Sequence, residues 1–546
     1  MSARGSRGAD ALARTLARAG AKRIFALSGN HVMPIFDAAL DAGLELVHVR
    51  HEAAAVHMAD AWARLTGEPG IALVTGGPGH ANAVSALYTA AMAESPVVLL
   101  SGHAPSGEQG LGSFQEMRQA SVAAPLVKAA WTTTDAGVVA WDVSRALRLA
   151  MSGRAGPVSL NLPTDALEDE ASADDDPPAD DARPEPIALA DARADALLER
   201  LAAGQRPLIL CGPALMTRAG RSRMAALEAA CGIPVVGMES PRGIADPSLG
   251  AFAQVLPRAD VVLLLAKRLD FTLKFARAPA FSMVCEFLQV DPEAGERERS
   301  RRCVGPRLVS SARADAFSAV ESLVRAAHRR SPLAGSWRSE VHAAIDHRPP
   351  EWEKAAAREP GRLHPVQACR PLQALLDADP DAVLVADGGE FGQWAQACLS
   401  APNRVINGAA GSIGAALPFA VAARLALPHA PVVALMGDGT FGFHPAEIDT
   451  AVRHGLPFLA VVGNDARWNA EYQIQLRDYG AERAVGCELR PTRYDEVAAG
   501  FGGYGELVTD PAELLPAARR AQASGRPACL NVMIEGLPAP TIHRFS

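Results

Sequence analysis

Residues 431–469 read PVVALMGDGTFGFHPAEIDTAVRHGLPFLAVVGNDARWN, in which two apolar runs are separated by a helix-like segment. The first run, 432–436, leads into Gly437-Asp438-Gly439-Thr440, and the second, 458–462, leads into Gly463-Asn464-Asp465. This spacing predicts a strand–helix–strand unit. Because parallel strands end at the same edge of a sheet, where open α/β sheets bind ligands, the polar residues are expected to lie together.

The residue types at this edge indicate a ligand. Asp438 and Asp465 are hard oxygen donors, which suit Mg²⁺ bound by one or two carboxylates together with phosphate oxygens. Glycine allows backbone N–H groups to approach a phosphate, and a helix that starts there favours an anion. The stretch therefore predicts a magnesium diphosphate site. The alternative is an ordinary strand–turn–helix in which Gly-Asp-Gly only makes the turn.

Composition limits the class of protein. The chain has 546 residues, which predicts two to four domains, and 49% are hydrophobic. The formal net charge of −8 and the lack of a basic run argue against a nucleic-acid partner. No apolar run reaches 18 residues, so we expect no membrane span. The eight cysteines include no C-x-x-C pair, which predicts free thiols and a cytoplasmic location.

Three segments alternate helical and strand patterns. This predicts an α/β fold of three doubly wound parallel-sheet domains, at 1–167, 186–345 and 360–546. The acidic, Pro-rich sequence EDEASADDDPPADDARPEP at 168–186 predicts a solvated linker. The Arg-, Pro- and Ala-rich residues 329–359 predict a second, partly helical connection.

These motifs together resemble the thiamine diphosphate (ThDP) enzymes of the acetolactate synthase, benzaldehyde lyase and 2-hydroxyacyl-CoA lyase group. Gly437-Asp438-Gly439, closed by Asn464-Asp465, resembles that family's diphosphate motif. Residues 50–54, RHEAA, followed by 75–79, TGGPG, resemble its pyrimidine-binding domain. The three predicted domains then correspond to the pyrimidine-binding, central and diphosphate-binding domains. This chain departs from the family at Asp465, where Asn is usual.

The resemblance implies the residues that hold the cofactor. Asp438, Asp465 and the backbone carbonyl of Arg467 are the implied Mg²⁺ ligands. Ile413 is the implied apolar wedge that bends the cofactor, and the Gly411 carbonyl accepts from its 4′-amino group. The alternative is a Gly-rich helix entry with Ile413 in the core. The other implied cofactor-binding residues follow strands or adjoin the wedge: Gly388, Gly389, Glu390, Phe391, Ser412, Gly437, Gly439, Thr440 and Asn464.

The resemblance also implies three catalytic residues. Glu52 is the glutamate that hydrogen-bonds the pyrimidine N1′, His31 resembles the histidine of benzaldehyde lyase, and Gln115 resembles a glutamine that faces the reacting centre. Histidine is suited to proton transfer near pH 7. The alternatives are that Glu52 only balances the dipole at a helix start and that His31 and Gln115 are ordinary loop residues.

The predicted function is a ThDP- and Mg²⁺-dependent C–C bond lyase or carboligase, acetolactate-synthase-like, acting on small carbonyl substrates: 2-oxo acids, 2-hydroxy ketones or 2-hydroxyacyl-CoA. One alternative is a 2-oxo acid decarboxylase, although the adjacent histidine pair usual there is absent. Another is a non-catalytic flavin- or nucleotide-binding protein, but no glycine fingerprint supports FAD or CoA in the central domain. Because Glu52 of one subunit serves a neighbour's cofactor in this family, a homodimer at least is implied, and we expect a homotetramer.

Overall fold

The computed structural model describes residues 6–172 and 176–544. It contains three all-parallel sheets of six, five and six strands with helices between the strands, which confirms the predicted α/β class. The seventeen strands are β1 (Arg23–Ala26), β2 (Glu45–His48), β3 (Gly70–Val74), β4 (Val97–His103), β5 (Ala130–Thr132), β6 (Val158–Pro163), β7 (Pro207–Cys211), β8 (Val235–Gly237), β9 (Val261–Leu265), β10 (Glu286–Val290), β11 (Leu308–Ala312), β12 (Val383–Ala386), β13 (Asn403–Ile406), β14 (Val432–Gly437), β15 (Leu459–Asn464), β16 (Tyr504–Val508) and β17 (Ala528–Met533).

The helices connect these strands. They are α1 (Gly8–Arg18), α2 (Met33–Asp41), α3 (Glu52–Thr66), α4 (Pro78–Met92), α5 (Gln119–Ala123), α6 (Val139–Met151), α7 (Thr164–Glu168), α8 (Asp191–Ala202), α9 (Arg218–Cys231), α10 (Phe252–Val255), α11 (Ala294–Val304), α12 (Ala316–Ala327), α13 (Trp337–Ile345), α14 (Pro365–Cys369), α15 (Gln373–Leu376), α16 (Gly389–Cys398), α17 (Ala416–Ala426), α18 (Asp438–Phe441), α19 (Glu447–Arg453), α20 (Asn469–Tyr479), α21 (Tyr494–Gly500) and α22 (Leu514–Ala523).

The first and third sheets repeat one strand order. It is β2-β1-β3-β4-β6-β5 in the first sheet and β13-β12-β14-β15-β17-β16 in the third. The middle sheet has the order β11-β10-β9-β7-β8. Most central strands are buried along their whole length, as expected for parallel strands covered on both faces.

Contacts group the chain into two compact units. One consists of Met1–Glu185, Leu417–Pro428 and Ala446–Leu456, and the other of Pro186–Ala416, His429–Pro445 and Pro457–Ser546. The first unit contains the first sheet and the second unit contains the other two. Helix α19 and most of α17 therefore belong to the first unit, although they follow strands of the third sheet in sequence.

The described part of the acidic segment up to Glu185 belongs to the first unit, and its contacts there differ from the solvated linker that we predicted. Asp176 pairs with Arg14 of α1 at 3.1 Å, and its side chain is only 4% exposed. Asp181 accepts from Ser144 of α6 at 2.8 Å and pairs with Arg148 at 2.5 Å. Composition suggested a solvated chain, but basic residues on two helices bind these carboxylates.

The second predicted connection, 329–359, is partly helical, as predicted, and also packs into the fold. It contains α13, and Trp337 and Trp352 belong to the core of the second unit. The Trp337 indole N–H donates to the Pro207 carbonyl at 2.9 Å, which ties the segment to the start of β7. Two large buried side chains give this stretch a packing role.

Candidate functional site

A cavity of about 290 Å³ lies in the second unit, at the carboxyl ends of neighbouring strands of the third sheet. Strands β12, β14 and β15 are adjacent, and Gly437 pairs with Gly463 in register at the ends of β14 and β15. The two polar turns of the opening stretch therefore meet at one edge, as their positions after parallel strands predicted.

Most of the predicted cofactor and metal residues line this cavity: Gly388, Gly389, Glu390, Phe391, Gly411, Ile413, Gly437, Asp438, Gly439, Thr440, Asp465 and Arg467. Two predicted residues, Ser412 and Asn464, are not among the described lining residues. The Asn464 amide donates to Asn531 and to the Thr492 carbonyl, both at 3.0 Å, so it holds β15 to its neighbours. Trp468 and Asn469 also line the cavity.

Asp438 and Asp465 form a buried acidic pair in the cavity. Asp438 is 2% exposed and Asp465 is 8% exposed. Burial raises the pKa of both carboxyls, and the charge of Asp438 raises the pKa of Asp465 further. Asp438 Oδ2 accepts no hydrogen bond from any described residue. Two adjacent buried carboxylates with an unpaired oxygen fit a divalent cation, which would offset their repulsion.

The described residues contain no group of three or more His, Cys, Asp or Glu side chains that could hold a metal ion. The space beside Gly437 leaves room for a ligand, because a Cβ built there meets no atom within 4 Å.

Ile413 lies in the cavity wall and is not part of the described core. Its Cγ2 is 2.7 Å from the position that a Cβ would occupy on Gly388, so this glycine makes room for it. A partly exposed, branched apolar side chain at a cavity wall fits a wedge under a cofactor. This position disfavours the alternative in which Ile413 only fills the core.

Asp387, at the end of β12, is a site residue that the sequence analysis missed. It is 2% exposed and accepts backbone N–H groups from Gly388 at 2.7 Å, Gly414 at 3.0 Å and Ala416 at 3.1 Å. Burial raises its pKa to about 6. The carboxylate thus fixes the turn that carries Ile413. The sequence signal that could have identified Asp387 is an acidic residue directly after a buried strand, as at Asp438.

Glu52 is the first residue of α3, in the first unit. The preceding His51 caps the helix, because its Nδ1 accepts the Ala53 N–H at 3.1 Å. The Glu52 carboxylate is partly exposed and accepts from the Asn82 amide at 3.1 Å. It follows the carboxyl end of β2, and open α/β sheets bind ligands at the edge where their strands end.

His31 lies in a short helical turn after β1 and is 4% exposed. Its Nδ1 lies 3.1 Å from Thr75 Oγ1 after β3, and its ring stacks on the exposed Phe114 at 6.2 Å between centroids. Burial, and then the nearby His103, lower its pKa. A neutral imidazole at this edge can accept a proton from a substrate hydroxyl.

Gln115 adopts a left-handed backbone conformation with φ of 58°. Its side-chain Oε1 is buried and accepts no hydrogen bond from the described residues. Its backbone carbonyl lies 2.6 Å from the position of a Cβ on Gly77, so the Gln115 loop packs on the Gly-rich turn after β3. A strained residue with an unpaired polar atom is typical of a functional loop.

Gln119 was also missed by the sequence analysis. It is 1% exposed, accepts the Gly77 N–H at 2.9 Å and donates to the Gly102 carbonyl at 3.0 Å. It therefore joins the Gly-rich turn after β3 to β4. No local signal distinguishes this residue, because its partners lie at distant positions in the sequence.

Two basic residues of the central domain, Lys267 and Arg268, are engaged in the fold. Lys267, suited by type to a phosphate, donates to Thr272 Oγ1 at 2.6 Å and is 4% exposed. Arg268 pairs with Glu296 at 3.6 Å. This arrangement adds no support for FAD or CoA there.

Among the described residues, no helix combines the length and apolar character needed to cross a membrane.

Comparison with known proteins agrees with this geometry. Residues 6–122 match the family described as thiamine pyrophosphate enzyme, N-terminal TPP binding domain, and residues 387–532 match its C-terminal TPP binding domain. The chain is 34% identical over 543 residues to acetolactate synthase large subunit IlvG of Mycobacterium tuberculosis, covering 96% of this chain and 95% of that protein.

The chain is also similar to a second group of proteins, which are named 2-hydroxyacyl-CoA lyases. The chain is 30% identical over 584 residues to 2-hydroxyacyl-CoA lyase 2 of Homo sapiens, covering 96% of this chain and 90% of that protein. It is 28% identical over 553 residues to 2-hydroxyacyl-CoA lyase of Oryza sativa subsp. japonica, covering 96% and 94%. The chain therefore belongs to the thiamine diphosphate-dependent enzymes, in the superfamily of acetolactate synthase and 2-hydroxyacyl-CoA lyase.

Proposed function

We propose that this enzyme is a Mg²⁺-dependent C–C bond lyase or carboligase whose substrate is a 2-oxo acid, a 2-hydroxy ketone or a 2-hydroxyacyl-CoA. The observation that carries the cofactor assignment is the Asp438–Asp465 pair, buried in a cavity at the ends of adjacent strands, with one carboxylate oxygen unpaired. The names of the two groups of relatives support the substrate classes.

Each residue has a defined task in this proposal. Asp438, Asp465 and the Arg467 carbonyl would hold Mg²⁺ together with the cofactor diphosphate, and Ile413 would contact the bound cofactor from the cavity wall. When bound, ThDP supplies a nucleophilic carbon that adds to a carbonyl group. Glu52 exchanges a proton with the pyrimidine N1′. His31 accepts or returns the proton of a substrate hydroxyl, and Gln115 donates a hydrogen bond to a substrate oxygen.

Calorimetry with ThDP and Mg²⁺ tests the cofactor assignment. We expect saturable binding at one site per chain, and no binding of ThDP when Mg²⁺ is removed by chelation. Asp438→Ala removes a ligand and should abolish binding, whereas Asp465→Asn restores the side chain usual in the family and should retain it. Wild-type protein that binds no ThDP with excess Mg²⁺ would contradict the proposal.

Product analysis tests the reaction type. The holoenzyme is incubated in turn with pyruvate, benzoin and a 2-hydroxyacyl-CoA. Acetolactate from pyruvate, or an aldehyde from either of the other two substrates, supports a carboligase or lyase. Free acetaldehyde as the sole product from pyruvate supports the alternative, a 2-oxo acid decarboxylase. Glu52→Gln is the control, which should bind ThDP but turn over none of the three.

We also propose a homodimer at least, and a homotetramer as the full assembly, in the cytoplasm. The dimer follows from the family arrangement in which Glu52 serves the cofactor of a neighbouring subunit. The eight cysteines are all free thiols, which suits a reducing compartment. Sedimentation at several protein concentrations tests the assembly, and a monomer at micromolar concentration would contradict it.

A further inference from the structure

Glu447, the first residue of α19, lies against the loop that leads into Glu52. Within the first unit, residues 49–51 join β2 to α3. The Arg50 N–H donates to Glu447 Oε1 at 3.1 Å, and the His51 N–H also faces this carboxylate. The Thr450 hydroxyl donates to Glu447 Oε2 at 2.7 Å. One side chain thus binds two consecutive amides immediately before Glu52.

Two further contacts hold the same loop to α19. Arg453 donates from Nη2 to the His48 carbonyl at 2.7 Å, where β2 ends. The Arg50 guanidinium pairs with Asp449 at 3.1 Å, but its side chain is 50% exposed. The loop is therefore held at its start by Arg453 and at its end by Glu447. Asp449 adds a solvent-exposed contact that is worth less.

The complete burial of Glu447 indicates that its carboxylate has a specific structural role. The residue is 0% exposed, and burying a carboxylate costs free energy unless hydrogen bonds compensate. An apolar side chain would fill the space without that cost, but it would leave the amides of residues 50 and 51 without an acceptor. The carboxylate is suited to ordering a loop by its backbone, and the loop determines where α3 begins.

We propose that Glu447 is a positioning residue for Glu52, because it fixes residues 50 and 51 and so directs the Glu52 carboxylate toward the cofactor pyrimidine. The inference rests on the proposed role of Glu52. Glu447 lies in the stretch 431–469, but its side chain belongs to neither the metal site nor the diphosphate site. His51, whose side chain caps α3, transmits the position of the loop to the helix.

The test uses the holoenzyme and needs no substrate. Glu52 promotes loss of the proton at C2 of bound ThDP, so exchange of that proton for deuterium, followed by NMR after rapid quenching, measures its action. Glu447→Ala should slow the exchange about 10- to 100-fold at saturating Mg²⁺ and ThDP, the loss typical of a misplaced catalytic group. Glu447→Gln keeps an acceptor for Arg50 and should restore most of the rate.

A double-mutant cycle separates positioning from general stabilisation. If Glu447 acts through Glu52, the double variant Glu52→Gln, Glu447→Ala should exchange within about twofold of Glu52→Gln alone. Asp449→Asn, on the same helix and against the same arginine, is the matched control and should slow the exchange by less than about twofold, because its contacts are solvent-exposed. ThDP affinity, measured by calorimetry, should stay close to wild type in every variant.

Two outcomes would overturn the inference. One is an exchange rate in Glu447→Ala equal to wild type, and the other is a double variant in which the two losses multiply. If Glu447→Ala does not fold, Thr450→Val is tested in its place. Thr450→Val removes one hydrogen bond from the Glu447 carboxylate and should slow exchange by a smaller factor than the loss of the carboxylate. Wild-type protein that fails to bind ThDP would instead contradict the proposed function, which is a distinguishable result.

Discussion

Gly437 and Gly463 pair in register near the carboxyl ends of adjacent strands, yet their surroundings differ. A Cβ on Gly437 would meet no atom within 4 Å, and the backbone there has φ of −74°, which any residue adopts. A Cβ on Gly463 would lie 2.5 Å from the ring of Phe391. One glycine leaves space for a ligand, and the other leaves space for a side chain that lines the ligand cavity.

This difference predicts opposite effects of the two alanine substitutions. Gly437→Ala should leave the free energy of unfolding of the cofactor-free protein within about 0.5 kcal/mol of wild type, yet weaken ThDP binding at least about tenfold. Gly463→Ala should lower the free energy of unfolding by about 1–3 kcal/mol because Phe391 must move. Urea unfolding and calorimetry measure the two quantities.

Gly295→Ala is the matched control, since a Cβ there also meets no atom within 4 Å and the residue is far from the cavity in sequence. It should leave ThDP affinity unchanged and raise the free energy of unfolding by no more than about 1 kcal/mol, because alanine favours the helix α11 over glycine. A Gly437→Ala protein that binds ThDP as tightly as wild type would show that the space beside this residue is not used by the cofactor.

Glu447 also predicts a pH dependence of stability. Burial raises its pKa from 4.5 to about 7, against the opposing effects of Thr450, the amides of residues 50 and 51, and Arg453. The folded state then holds a proton that the unfolded state has lost between these values, so Glu447 makes stability fall as pH rises from 4.5 to 7. The full effect is about 3 kcal/mol.

Glu447→Gln removes this titration. The variant should match wild type near pH 4.5 and gain stability relative to it up to about pH 7, by about 3 kcal/mol at most. Taking the difference between the two proteins cancels other titrating groups, including Asp387, whose pKa is also raised. A difference that does not vary with pH would show that Glu447 is ionised throughout the range.

At the scale of elements, the acidic segment gives a separate prediction. Asp176 has a side chain that is 4% exposed and bound by Arg14 and Arg18 of α1, whereas Asp180 is exposed. Asp176→Asn should lower the free energy of unfolding by about 1–2 kcal/mol, the cost of weakening a charged hydrogen bond. Asp180→Asn is the control and should stay within about 0.5 kcal/mol.

The sequence predicted the elements whose signal is local. Strands such as β7 and β9 are uninterrupted apolar runs, and the polar residues after β14 and β15 mark the ligand edge. The edge strands β5, Ala130–Thr132, and β11, Leu308–Ala312, are only partly buried and were not predicted. A polar edge strand depends on its neighbour for pairing, so its own residues carry little signal.

Prediction of the site from the sequence is limited in the same way, because only local signals can be recognised. Asp438, Asp465 and Ile413 follow recognisable strands or glycine-rich turns, and the structure places them in one cavity. The tasks of Asp387, Gln119 and Glu447 depend on backbone groups 27 to 397 positions away. No periodicity or spacing rule encodes such contacts, which only the tertiary fold brings together.

At the scale of the molecule, the first and third sheets share one strand order. Each has predicted functional residues after strands that end at the same edge: His31 and Glu52 in the first, and Asp438 and Asp465 in the third. A cofactor with two ends suits a pair of equivalent edges, one for the pyrimidine and one for the diphosphate. In the proposed dimer the two edges of a complete site come from different chains.

Subunit exchange tests this arrangement. Glu52→Gln lacks the proposed activating acid and Asp438→Ala lacks a proposed metal ligand, so each homodimer should exchange the C2 proton slowly or not at all. In a heterodimer formed from both variants, one site combines Glu52 of one chain with Asp438 of the other. After random mixing, half of the dimers are mixed and about a quarter of all sites should recover the wild-type rate.

The expected recovery follows only if each site spans two chains. If Glu52 and Asp438 of one chain served the same cofactor, every site would retain one substitution and mixing would restore nothing. Mixing Glu52→Gln with Glu52→Asp/Asp438→Ala provides the matched control, because no site then regains an unaltered Glu52. Recovery in the first mixture and none in the second places the carboxylate and the metal site of each functional unit on different subunits, which makes the dimer the smallest active form.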